Sequence, residues 1–120
     1  MIKELWKLPS REDAVVLLKR PGKEIALGCE FEGNDGEPVF KEIVFEGVEA
    51  FKFTYEQACG DWVMPAFSRL VEVTDSAWAA EVTEELRKSR AAQPVVRHLM
   101  IYFDSRPCYE AVCRSYRINK

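Results

Sequence analysis

The sequence predicts an α+β fold: a twisted or barrel-like antiparallel sheet, one main helix at about 76–91 packed on it, and a C-terminal β-hairpin. Three observations lead there. Apolar and polar residues alternate over several short stretches, the period of a strand with one buried and one wet face. Turn-forming residues separate these stretches at the short spacing of strand-rich proteins. Only one stretch keeps the i, i+4, i+8 apolar stripe of a helix. The connections are short, which favours antiparallel neighbours.

The first unit is a hairpin. Ala14-Val15-Val16-Leu17-Leu18-Lys19-Arg20 is rich in branched residues, and the turn pair Pro21-Gly22 follows. Ile25, Leu27, Cys29 and Phe31 then alternate with polar or small residues. A two-residue turn sets Leu18 opposite Ile25, Val16 opposite Leu27 and Ala14 opposite Cys29, all on one inward face. Glu30 and Glu32 fall on the wet face. After the loop Gly33-Asn34-Asp35-Gly36, residues 39–55 read as strand, with Ile43 and Phe45 sharing parity with Phe51, Phe53 and Tyr55. Gly47 interrupts that run as a bulge or a break, since an uninterrupted strand would be unusually long. Residues 56–66 are irregular with room for a short helical turn, and residues 67–73 form another strand.

The helix begins at Asp75-Ser76, an N-cap pair. Trp78, Val82 and Leu86 form its stripe. Glu81, Glu84 and Glu85 precede Arg87, Lys88 and Arg90, the order that suits the helix dipole. Pro94 stops it. The final hairpin runs from about His98 through a three-residue loop, Ser105-Arg106-Pro107, and back from Cys108 to about Ile118. In that register Leu99, Ile101 and Phe103 face Cys113, Ala111 and Tyr109 as core. His98, Met100, Tyr102 and Asp104 face Arg114, Val112, Glu110 and Cys108 on the other side.

The chain has 120 residues, 48% of them hydrophobic, enough for one domain spanning 1–120 with its own core. No apolar run approaches the roughly 20 residues of a membrane span, and the N-terminus lacks a signal-like apolar region. A cytoplasmic protein with no membrane partner is therefore expected. Cys29, Cys59, Cys108 and Cys113 include no CxxC pair, so reduced, buried, hydrophobe-like thiols are expected. The net charge is −3, and no RNP-like motif accompanies the arginines and tyrosines of the tail, which argues against nucleic acid. Residues 1–85 carry 9 Lys/Arg and 18 Asp/Glu, net −9, whereas residues 86–120 carry 8 and 2, net +6. If the fold keeps those segments apart, each face steers a charged partner; if it interleaves them, the charges cancel.

No catalytic or metal site emerges. Cys108 and Cys113 are the only close cysteine pair, and their odd spacing on a strand points them to opposite faces. His98 is the only histidine, and its strand position lies too far from Asp104 for the two to orient one another. No GxGxxG, GxxxxGK[ST] or GxSxG motif is present. No cofactor is therefore expected. The one polar cluster that the register yields is Tyr102 and Glu110 with His98 and Arg114, a candidate binding face read against a solvated cross-strand ladder.

The stretch from Leu70 to Trp78, followed by the stretches from Arg97 to Asp104 and from Cys108 to Cys113, resembles a layout recurrent in small bacterial α+β proteins of unknown role, some of which act as immunity partners that neutralise a toxin. The resemblance covers the C-terminal half and implies a non-catalytic, cytoplasmic binder; no functional residue is carried over from it. The sequence thus predicts a non-enzymatic protein-interaction module that binds a protein partner or itself. The alternative is a small-molecule-binding domain or modest enzyme with its pocket between sheet and helix.

Overall fold

The computed structural model describes residues 1–89 and 95–119. Nine strands and one α-helix follow one another as β1 (Ile2–Lys7), β2 (Glu12–Arg20), β3 (Glu24–Glu32), β4 (Pro38–Glu46), β5 (Ala50–Thr54), β6 (Arg69–Val73), α1 (Ala77–Ser89), β7 (Arg97–Tyr102), β8 (Cys108–Cys113) and β9 (Ser115–Asn119). Two short 3-10 segments, Glu56–Ala58 and Asp61–Ala66, occupy the irregular stretch.

Among the described residues the strands form two antiparallel sheets and no closed barrel, so the single twisted or barrel-like sheet expected from sequence is corrected to a pair. The five-stranded sheet has the order β1-β6-β7-β8-β5, and the four-stranded sheet β2-β3-β4-β9. Their facing sides share one core: Leu27, Phe31, Ile43 and Phe45 from one, Leu70, Leu99, Ile101 and Ala111 from the other. On the far side of the five-stranded sheet, Val63 and Ala66 of the second 3-10 segment pack with Val71, Met100 and Cys108, and α1 lies beside them over β7 and β8.

Two of the chain's three passages between the sheets, β4 to β5 and β8 to β9, meet at one corner. Gly47 ends the run of β4 as a break, and Arg114 divides the expected single return strand into β8 and β9. The Arg114 N–H donates to the Glu46 carbonyl at 2.9 Å, and the Glu49 N–H to the Val112 carbonyl at 2.9 Å. Gly47 has φ +63°, and a Cβ there would stand 2.7 Å from Arg114 Cδ, so glycine is required twice over.

Two registers differ from expectation. In β2–β3 the turn takes three residues, because Gly22 (φ +79°) is followed by Lys23 in the left-handed region at φ +61°. Leu17 therefore pairs with Leu27 and Val15 with Cys29, and the one-residue slip turns Val16 and Leu18 outward. In β7–β8 the connection spans residues 103–107. Leu99 pairs with Ala111, Ile101 with Tyr109, and Tyr102 with Cys108. A two-residue slip changes partners and preserves faces, so Leu99 and Ile101 remain core.

The helix covers Ala77–Ser89; the expected end at 90–91 and the stop at Pro94 lie outside the described residues. β1, which lacks clear alternation, was not legible from sequence and is held by β6.

Candidate functional site

His98, Tyr102, Glu110 and Arg114 do not gather into one surface cluster. Glu110 pairs across the sheet with Met100 rather than Tyr102, and His98 with Val112 rather than Arg114. Tyr102 stacks at a tilt on Phe67, ring centroids 5.9 Å apart. Burial of Tyr102 pushes its phenol pKa up. Arg114 lies at the corner, its side chain over Gly47. Only His98 and Glu110 meet. They lie beneath the helix, 8% and 2% exposed, rather than on a wet ladder or an open binding face.

These two belong to a buried polar chain. Ser76 Oγ lies 2.7 Å from His98 Nδ1, and His98 Nε2 lies 2.8 Å from Glu110 Oε1. Ser76 Oγ also accepts the Ala79 N–H at 3.0 Å and so is the helix N-cap foreseen from sequence. One consistent proton arrangement has the serine hydroxyl donating to Nδ1 and Nε2–H donating to the carboxylate. Trp78 presents its edge to the imidazole with centroids 5.1 Å apart, while Lys52 Nζ sits 4.3 Å over the Trp78 ring and 3.9 Å from Glu110 Oε2. Glu110 Oε2 itself has no hydrogen-bond partner among the described residues. The order Ser–His–Glu resembles a nucleophilic relay, but Ser76 Oγ is already committed to capping the helix. The groove beside the helix, about 320 Å³, is lined by Trp78, Val82 and Leu86 and not by Tyr102, Glu110 or Arg114. What the chain of bonds does physically is fasten the N-terminus of α1 to β7 and β8.

Three of the four thiols are equally withdrawn, whereas Cys59, expected to be buried, is only half-buried. Burial pushes the Cys29 and Cys113 thiols up to about 12 and that of Cys108 up as well. Such groups are protonated and poor nucleophiles at neutral pH. Among the described residues no group of three His, Cys, Asp or Glu side chains is arranged to hold a metal ion.

The outward side of the four-stranded sheet is different in kind. Among the described residues no helix or second sheet lies on it, and its two halves are built differently. In one half, Arg20 of β2 reaches across β3 to Glu42 of β4 in a two-pronged ion pair. Arg117 of β9 reaches across β4 in the opposite sense, to Glu24 of β3 at 3.0 Å and to Glu46. The guanidinium of Arg20 holds the Glu42 carboxyl below its ordinary range, and the Ser115 hydroxyl with Arg117 does the same for Glu46. Beneath these crossed arginines Ala26 and Val44 are fully buried although they face outward.

The other half has no such roof. Val16, opposite Gly28, is 55% exposed, and Phe40, opposite Glu30, is 60% exposed. Together with Ala14, Glu30, Lys41, Glu42 and Asn119 they line a solvent-open groove of about 630 Å³. Glu30 pairs with Phe40 and Glu32 with Pro38 on the same face, and Asp35 and Glu37 follow in the loop. Among the described residues no cation lies within ion-pair distance of these four carboxylates. Sequence reasoning set Glu30 and Glu32 on the wet face correctly but missed Val16 and Phe40. Phe40 carried a signal, for its parity is opposite to that of Ile43 and Phe45; an aromatic out of step with the core positions of its own strand faces water.

The charge imbalance between the two ends of the chain does not produce two faces. Arg97 pairs with Glu72, Arg106 with the buried Glu12, and Arg117 with Glu24 and Glu46, so the fold interleaves the basic segment with the acidic one. No helix among the described residues is long and apolar enough to cross a membrane. Compared with models of protein families, with curated proteins and with solved structures, the chain matches none.

Proposed function

We propose that this protein is a non-enzymatic interaction module that binds a protein partner through the unroofed half of its four-stranded sheet. The observation that carries the reading is the juxtaposition of an exposed apolar groove, Val16, Gly28 and Phe40, with the uncompensated carboxylates Glu30, Glu32, Asp35 and Glu37. A partner that suits it offers an apolar side chain to the groove and a lysine or arginine to its acidic end. Apolar contact supplies affinity, and charge complementarity supplies orientation and association rate. The buried His98–Glu110 pair supports the same reading, because its hydrogen-bonding groups face protein rather than substrate. A toxin neutralised by an immunity-type protein is one partner of this kind.

The test compares tagged wild-type protein with Phe40→Asp, with the double variant Glu30→Lys/Glu32→Lys, and with Lys3→Glu on β1 as control, each used to capture partners from lysate of its own source. The expected result is a stoichiometric partner held by wild type and Lys3→Glu and lost by both face variants. A partner held equally by all four proteins, or a partner-free monomer or homo-oligomer, overturns the proposal.

A further inference from the structure

Among the described residues the ladder between β4 and β9 ends at the pair Glu42 and Asn119. β9 pairs with Glu42–Glu46 only, and residues 38–41 of β4 have no neighbour on that side among the described residues. The direction of the backbone groups follows from one bond: the Glu46 carbonyl accepts from Arg114 N–H, so it points toward β9. In a strand the N–H and C=O of one residue point to the same side, and alternate residues alternate. Glu46, Val44 and Glu42 therefore face β9, and Phe40 and Pro38 face the open edge. The Glu37 carbonyl agrees, since it accepts from Gly33 N–H on the β3 side. The open edge thus presents the Phe40 N–H, the Phe40 carbonyl and the Pro38 carbonyl, and lacks a donor at Pro38, where proline has none to offer.

We infer that this edge of β4 accepts an extended segment of the partner as an added antiparallel strand, collinear with β9, with the motif apolar-x-Lys/Arg. This deepens the docking reading above and rests on it. The motif follows from the register. The partner residue opposite Phe40 shares the outward face with Phe40 and the groove, so it is apolar. The residue opposite Pro38 comes two positions later in an antiparallel strand and shares the same face. Glu32 stands beyond Pro38 on β3, about 10 Å from the added strand across two strand spacings, and proline is small enough for a long basic side chain to pass over it. Main-chain bonds give such a contact its affinity and the alternating side chains its specificity.

The probe is a capped synthetic peptide that begins at the residue opposite Phe40, Leu-Thr-Lys-Thr-Thr, because Asn119 already holds the place opposite Glu42; a second peptide has glutamate in place of its lysine. Binding is titrated by calorimetry, and hydrogen exchange at the Phe40 amide is followed by NMR. The expected result is saturable binding of the lysine peptide, about tenfold slower exchange of the Phe40 amide at saturation, and about tenfold weaker binding of the glutamate peptide. Phe40→Pro, which removes the donor, abolishes binding, and the wild-type exchange measurement does not depend on how that variant folds. Binding without protection at Phe40 overturns strand addition and leaves the docking face standing. Absence of saturable binding overturns strand addition as well, and the capture experiment above then decides the docking face by itself.

Discussion

His98 is held on three sides, by Ser76 at Nδ1, by Glu110 at Nε2 and by the edge of Trp78. Removing the ring leaves the buried Glu110 carboxylate with Lys52, 3.9 Å from Oε2, as its remaining charged partner and with neither oxygen held by His98. His98→Ala is therefore expected to cost about 3–5 kcal/mol, measured by urea unfolding. Ser76→Ala, which takes away the cap and the Nδ1 contact together, is expected to cost about 1–2 kcal/mol. Either variant leaving stability unchanged contradicts the fastening role given to this chain of bonds. The cap was legible in the sequence, since Asp75-Ser76 stands just before the helical stripe. Its bond to His98 was not, because it joins residues 22 positions apart through a register that the sequence did not fix.

At the scale of elements, the β2 face shows how one residue decides an outcome. Pro21-Gly22 reads as a two-residue turn, but the left-handed Lys23 lengthens it and sets Val15 and Leu17 against the core in place of Val16 and Leu18. The β7 face survived its register error because that slip was even. The division into two sheets was not legible, because it depends on Gly47 and Arg114 meeting at one corner. Gly47→Ala is expected to lose about 1–3 kcal/mol, from left-handed strain and the clash with Arg114, as read in thermal or urea unfolding. The edge strand β9 has its own pH dependence. Glu42 and Glu46 titrate below the unfolded glutamate value of about 4.3. Their contribution is thus full above that value and is lost as pH falls through the lower, folded values. Amides of β9, corrected for intrinsic rates, should lose protection below about pH 4 sooner than those of the central strand β7; equal loss in both strands contradicts the clamp described for Arg20 and Arg117.

For the whole molecule, charge is distributed so that most carboxylates meet a cation. The basic C-terminal segment threads β7, β8 and β9 among acidic strands, and its arginines meet Glu12, Glu24, Glu46 and Glu72. That interleaving removes the two-faced charge pattern that the sequence permitted and leaves several carboxylates without an ion pair among the described residues, one group of them beside exposed apolar side chains. There, at the end of the four-stranded sheet, Glu30, Glu32, Asp35 and Glu37 adjoin the exposed Val16 and Phe40. These are surface positions, so Phe40→Asp and Glu30→Lys/Glu32→Lys should change unfolding free energy by no more than about 0.5 kcal/mol while altering what the protein binds. The measurement that tests this most directly is the side-by-side capture by wild type, the two face variants and Lys3→Glu, with the mass of each eluted complex determined in solution. A stoichiometric protein partner present with wild type and Lys3→Glu and absent from both face variants is the predicted result. The same partner recovered with all four proteins, or wild type eluting alone, contradicts the assignment of this face as the binding surface.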